Sequence, residues 1–150
     1  MVEPMVQVEM LAPAAALVCW SLVVLIWMTV TRFAGMGKSG VDLSKSPPGG
    51  RGQDLEKLLP AKTVWKAHNF THLMEQPTIF SPTSLILALV GASSADVLVA
   101  WAYVALRVVH SLWQSLVNRI PVRVLLFAVS TLCLAWLAVR ALLATLGAAA

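Results

Sequence analysis

The chain has 150 residues, of which 59% are hydrophobic and 12% charged. That balance belongs to membrane proteins rather than soluble globular ones, and it leaves no room for a separate soluble domain. The net charge of +4 does not indicate nucleic acid, because the basic residues form no patch interleaved with aromatic side chains.

Four long apolar stretches follow one another, at Met10 to Thr31, Gln76 to Ala95, Val97 to Asn118 and Val124 to Val139. A span needs roughly 20 apolar residues, so four transmembrane helices account for nearly the whole chain. The expected spans are about 11–31, 63–92, 96–118 and 122–146, arranged as an all-α four-helix membrane bundle with antiparallel neighbours. The first is expected to be an anchor and not a cleaved signal, since no small-residue cleavage pattern follows it. Cys19 and Cys133 lie deep in apolar runs and are read as small hydrophobes.

Between the first two spans, residues 34–60 hold nine of the chain's Gly and Pro residues, among them Gly35, Gly37, Gly40, Pro47 and Pro48, and read as a loop. Within that loop Asp54, followed by Leu55, Leu58 and Leu59, suits the cap of one short interfacial helix. The loop and the start of the second span also carry Lys38, Lys45, Arg51, Lys57, Lys62 and Lys66, while Arg119 and Arg123 lie between the last two spans. The opposite side has Glu3, Glu9 and Asp96 near its helix ends. The positive-inside rule therefore predicts a cytoplasmic 34–60 loop and both termini outside, periplasmic in a bacterial inner membrane.

The second helix begins near Lys62 and has a polar first third containing His68, Asn69, His72 and Glu75 before Pro77, which is expected to kink it. His68, His72 and Glu75 project within roughly 60° of one another. On the third helix Tyr103, Arg107, His110 and Gln114 each fall within about 40° of the direction of Asp96, giving a polar stripe along an otherwise apolar span. Such residues are costly inside a membrane and mark functional sites by default. Ser93, Ser94 and Asp96 suit the cap of this helix, and Arg140 on the fourth is expected to snorkel outward.

The two stripes enter from the same side and should meet, with Glu75 pairing with Arg107. Arg119 and Arg123, flanking Pro121, place further cations at that end and suit an anionic ligand with carboxylates or a thiolate. A metal is not expected: the His-Glu-x-x-His pattern is absent and the neighbouring cations oppose a divalent ion. No nucleophilic triad or phosphate-binding glycine loop is present.

The segments Asn69-Phe-Thr-His72-Leu-Met-Glu75-Gln-Pro77, Tyr103-Val-Ala-Leu-Arg107-Val-Val-His110 and Asn118-Arg119-Ile-Pro121-Val-Arg123 resemble the MAPEG family, the membrane-associated proteins of eicosanoid and glutathione metabolism, in its bacterial form. The resemblance implies a homotrimer of four-helix subunits that binds glutathione between subunits near the cytoplasmic face. It further implies a transferase, peroxidase or isomerase acting on a lipophilic small molecule from the bilayer, or else a non-catalytic protein binding a membrane lipid or partner. Carried onto this sequence, Glu75 becomes the glutathione-binding carboxylate, joined by His72, His68, Asn69, Arg107, His110, Tyr103 and Gln114. Arg123, or failing that Arg119, becomes the catalytic cation that stabilises the thiolate. Where members often have Arg, Asn and Tyr, this chain has His68, His72 and Gln114.

Overall fold

The computed structural model describes residues 6–148, which leaves Glu3 outside the described residues. The helices are α1 (Val8–Ser39), α2 (Ala61–Leu73), α3 (Pro77–Val90), α4 (Ser94–Leu116) and α5 (Ile120–Ala148), with no strand among the described residues. Since α2 and α3 together form one apolar span, Ala61–Val90, four helical spans are long and apolar enough to cross a membrane.

α1 runs past the expected start of the loop: Ala34, Gly35 and Gly37 are helical, and the helix ends only at Gly40, whose φ of 66° is left-handed. Gly40 and Val41 both donate their N–H groups to the Met36 carbonyl, closing the helix end. Gly35 is helical because α2 approaches closely there; a Cβ would lie 3.1 Å from Thr63 Cγ2. Small residues let helix backbones approach in this way. The connecting loop then begins at Gly40 and contains two 3-10 turns, Leu43–Lys45 and Gly52–Lys57. Asp42 accepts the Ser44 N–H and hydroxyl at 3.0 and 2.7 Å, and Asp54 accepts the Arg51 N–H at 2.7 Å. A small apolar cluster of Met36, Leu59 and Val64, with Val41 and Leu55 against it, fastens the loop to the ends of α1 and α2.

At the opposite end, the Gln7 N–H donates to the Ala88 carbonyl at 3.0 Å and Gln7 Oε1 accepts the Ala92 N–H at 2.6 Å. The start of α1 therefore sits at the α3–α4 turn, as an up-down bundle requires. There Ser93 and Asp96 form a reciprocal capping box: Ser93 Oγ accepts the Asp96 N–H and the Asp96 carboxylate accepts the Ser93 N–H. Arg140 does not snorkel outward. It donates Nε and Nη2 to the two Asp96 oxygens at 3.1 and 3.2 Å, because a fully buried carboxylate one helix away relieves the charge more than a half-exposed path to the headgroups.

The core between these ends is built from Met10, Leu17, Phe80, Leu87, Tyr103 and Leu137. Every member of the α4 stripe, Asp96, Tyr103, Arg107, His110 and Gln114, is buried. Polar groups also tie helices together: Asn69 Nδ2 donates to the Ser111 and Ser115 hydroxyls at 2.7 and 2.9 Å, and Gln76 Nε2 to Thr131 at 2.7 Å. Outward faces carry Leu22, Ile26, Leu98, Leu132, Leu142 and other exposed apolar side chains, which in a bilayer face lipid.

Candidate functional site

The second span does not merely kink at Pro77; it breaks. α2 ends at Leu73, residues 74–76 form a turn, and Pro77 is the first residue of α3. Proline at that position lacks only an N–H that a helix start leaves unpaired anyway. Across the turn the backbone bonds shorten to three-residue spacing, Met74 N–H to Thr71 C=O at 2.9 Å and Thr78 N–H to Glu75 C=O at 3.3 Å. The carbonyl of His72 instead accepts Arg107 Nη2 at 2.9 Å.

This break decides the fate of the expected Glu75–Arg107 pair, which does not form. The turn swings Glu75 outward, where its side chain is 57% exposed, while Arg107 stays fully buried and spends its bonded nitrogen on the freed carbonyl. Glu75 Oε2 lies 3.6 Å from His72 Nε2, and Arg107 Nη2 lies 3.4 Å from His72 Nδ1. An arginine nitrogen can only donate, so Nδ1 is the accepting nitrogen and Nε2 carries the hydrogen that faces Glu75.

The two polar stripes meet at His72 and His110, whose rings stack with centroids 4.9 Å apart and planes inclined by 20°. Phe127 of α5 closes against both, 5.2 Å from His72 and 6.4 Å from His110. These three rings, with Arg123 and Val124, line an open cavity of about 150 Å³. Arg123 is held there by its Nη1, which donates to Asn118 Oδ1 at 2.8 Å. Asn118 adopts a left-handed φ of 55° just before α5 begins, a conformation asparagine tolerates better than most residues.

The other candidate residues are dispersed. His68 faces the loop, with Nε2 3.0 Å from Glu56 Oε1. Asn69 is taken up in the core by Ser111 and Ser115. Tyr103 stacks on Phe80 with centroids 4.4 Å apart, and Gln114 is buried. Arg119 is exposed, and its carbonyl accepts the Trp113 Nε1 hydrogen at 3.1 Å. Phe127 and Asn118 were not read from sequence as site residues. Phe127 carried a usable signal, since it follows Arg123 by four residues and so shares its helix face.

A second cavity, about 300 Å³, lies on the other side of the break between α1 and α2–α3. Leu17, Leu25, Phe70, Met74 and Pro77 are among its walls, and the hydroxyls of Ser21, Thr78 and Ser81 there are spent on carbonyls of their own chain segment. Its walls are mostly apolar and include no charged side chain.

These features define a four-span helical membrane protein with an ionisable crevice where its second, third and fourth spans meet. The MAPEG family model matches residues 10–143, and the chain belongs to the MAPEG family. No curated protein and no solved structure matches it.

Proposed function

We propose that this protein is a membrane-bound glutathione-dependent enzyme of the transferase, peroxidase or isomerase type, acting on a lipophilic electrophile drawn from the bilayer. Family membership supports a glutathione-related role at a membrane. The observation that carries the reading furthest is Arg123, held by Asn118 at the mouth of the cavity beside the stacked His72 and His110 rings. Glutathione would supply a thiol, two carboxylates and an ammonium group, and the donor set fits them. The Arg123 guanidinium favours a thiolate over a thiol and steers it toward an electrophile, as an adjacent cation does for protein cysteines. Glu75, exposed at the rim, suits the ammonium, and Arg119 gives a second cation on the same side for a carboxylate.

The cavity within one chain, about 150 Å³, is smaller than the roughly 300–1,000 Å³ of sites that bury drug-sized ligands. A neighbouring subunit would complete it, in keeping with a homotrimer. The basic loop would face the cytoplasm and both termini the periplasm of a bacterial inner membrane, as the charge asymmetry favours.

Titrating the purified protein with glutathione near neutral pH tests this reading. It predicts a rise in thiolate absorbance and turnover of a generic aryl halide. Arg123→Ala should lower turnover by about 10²-fold, the order seen when a transition-state electrostatic donor is removed. Absence of both binding and thermal stabilisation at millimolar glutathione would refute it. The apolar groove beside Leu17 and Phe70 favours a second reading, a non-catalytic protein that binds a membrane lipid there. That reading predicts glutathione-independent retention of lipid through purification, lost on Leu17→Trp.

A further inference from the structure

We infer that Arg107 is a positioning residue that holds the break in the second span open, and through it sets His72 and Glu75 in the crevice, without itself touching the thiol donor. The inference rests on the proposed glutathione reading for its kinetic consequence, but the clamp itself stands on geometry alone.

Arg107 is an unusual guanidinium: it has no exposed surface, and no carboxylate of the described residues lies within ion-pair distance. Of its three nitrogens only Nη2 is bonded; Nε and Nη1 are buried with no hydrogen-bond partner among the described residues. Among the described residues both acceptors it reaches belong to His72, the backbone carbonyl at 2.9 Å and ring Nδ1 at 3.4 Å. In an uninterrupted helix that carbonyl would accept a backbone N–H four residues on. Here the turn at 74–76 takes the backbone elsewhere, and a side chain from α4 replaces the missing donor.

One guanidinium nitrogen therefore fixes three things. It satisfies a carbonyl that the break would leave unpaired inside a membrane, where no water replaces the missing donor. It orients the His72 ring so that Nε2 faces Glu75. It also ties the break to α4 at the level where His110 stacks on His72. The surface of Arg107 is covered, and Nε and Nη1 are buried as well, so a ligand in the cavity lined by His72, His110 and Arg123 meets the residues Arg107 positions and not Arg107.

The test uses the full chain in detergent, comparing wild type with Arg107→Gln and Arg107→Lys by amide hydrogen exchange and by glutathione calorimetry. In Arg107→Gln, exchange across residues 72–78 should quicken by about tenfold or more, as loss of a hydrogen bond to a charged group implies, with α5 unchanged. Glutathione affinity should fall by a similar factor, while thiolate formation at saturation persists because Arg123 and Asn118 are intact. Arg107→Lys, which retains a cationic donor, should recover part of both effects. Unchanged exchange at 72–78 in Arg107→Gln overturns the inference, and so does loss of thiolate with the break still protected, which would mean direct contact. If wild type binds no glutathione and the break still loosens, the proposed activity fails and the clamp stands. Should Arg107→Gln not fold, Pro77→Ala carries the test. A helix continued through residue 77 would take the His72 carbonyl into its own ladder, slowing exchange at 74–76 and weakening glutathione. Slow exchange with undiminished affinity would overturn the inference.

Discussion

At the scale of single residues, the buried charges behave according to what lies within reach across the bundle. Asp96 has no exposed surface and is answered by Arg140 in a two-pronged contact, with the Ser93 cap taking further lone pairs. Arg140→Met leaves that carboxylate buried without its cation, which should destabilise the fold, though less than for a fully buried pair because the Arg140 side chain is 38% exposed. Adding Asp96→Leu should restore part of the loss, and midpoints of denaturant unfolding for the two single variants and the double variant check it. Sequence periodicity places Asp96 and Arg107 on one buried stripe, and the structure keeps them there. Their partners were not readable, because partner choice depends on helix rotation and on where a neighbouring helix breaks. Arg119 and Arg123 look equivalent as letters, yet only Arg123 has a side-chain acceptor beside the cavity. Arg119→Ala should therefore weaken glutathione binding by only a few-fold, as expected for a screened surface charge on a carboxylate, and leave turnover at saturating glutathione close to that of the wild type.

At the scale of elements, two helices depart from their expected shape for opposite reasons. α1 continues through Gly35 and Gly37, where glycine content argued for a loop; at Gly35 the close contact with Thr63 and Leu59 needs a missing side chain, while Gly37 faces open space. Gly35→Val should push α1 from α2 and cost about 1–3 kcal/mol, the usual range for overpacking, as read from thermal unfolding in detergent. The second span breaks where a kink was expected, because a proline that starts a helix loses nothing, whereas one inside it forfeits a bond. In the loop, the Ser44 hydroxyl and N–H hold the Asp42 carboxyl below the usual carboxylate value. A depressed folded-state value means that this turn's stability is present above the ordinary carboxylate pKa and is lost as pH falls through the lowered one. Asp42→Ala should make the protection of the Ser44 and Lys45 amides, relative to their intrinsic exchange rates, the same at acidic and neutral pH.

At the scale of the whole molecule, the bundle is legible almost entirely from apolar run length, because a bilayer admits few ways to satisfy the backbone and a helical span is the commonest. The crevice was legible in its ingredients but not in its assembly. His72, His110 and Arg123 come from three spans and are brought together by a break, a ring stack and a left-handed Asn118. His68, one turn from His72, is drawn away by Glu56 of the loop. The proposed homotrimer would complete a crevice this small within one chain, and on that proposal crosslinking in mild detergent should yield a ladder that ends at three copies. The most direct measurement of the central claim is a density map of that assembly with millimolar glutathione. The account predicts the sulfur beside the Arg123 guanidinium and the peptide against His72 and Glu75. Glutathione seated elsewhere, or no glutathione density at the crevice under saturating conditions, would contradict it.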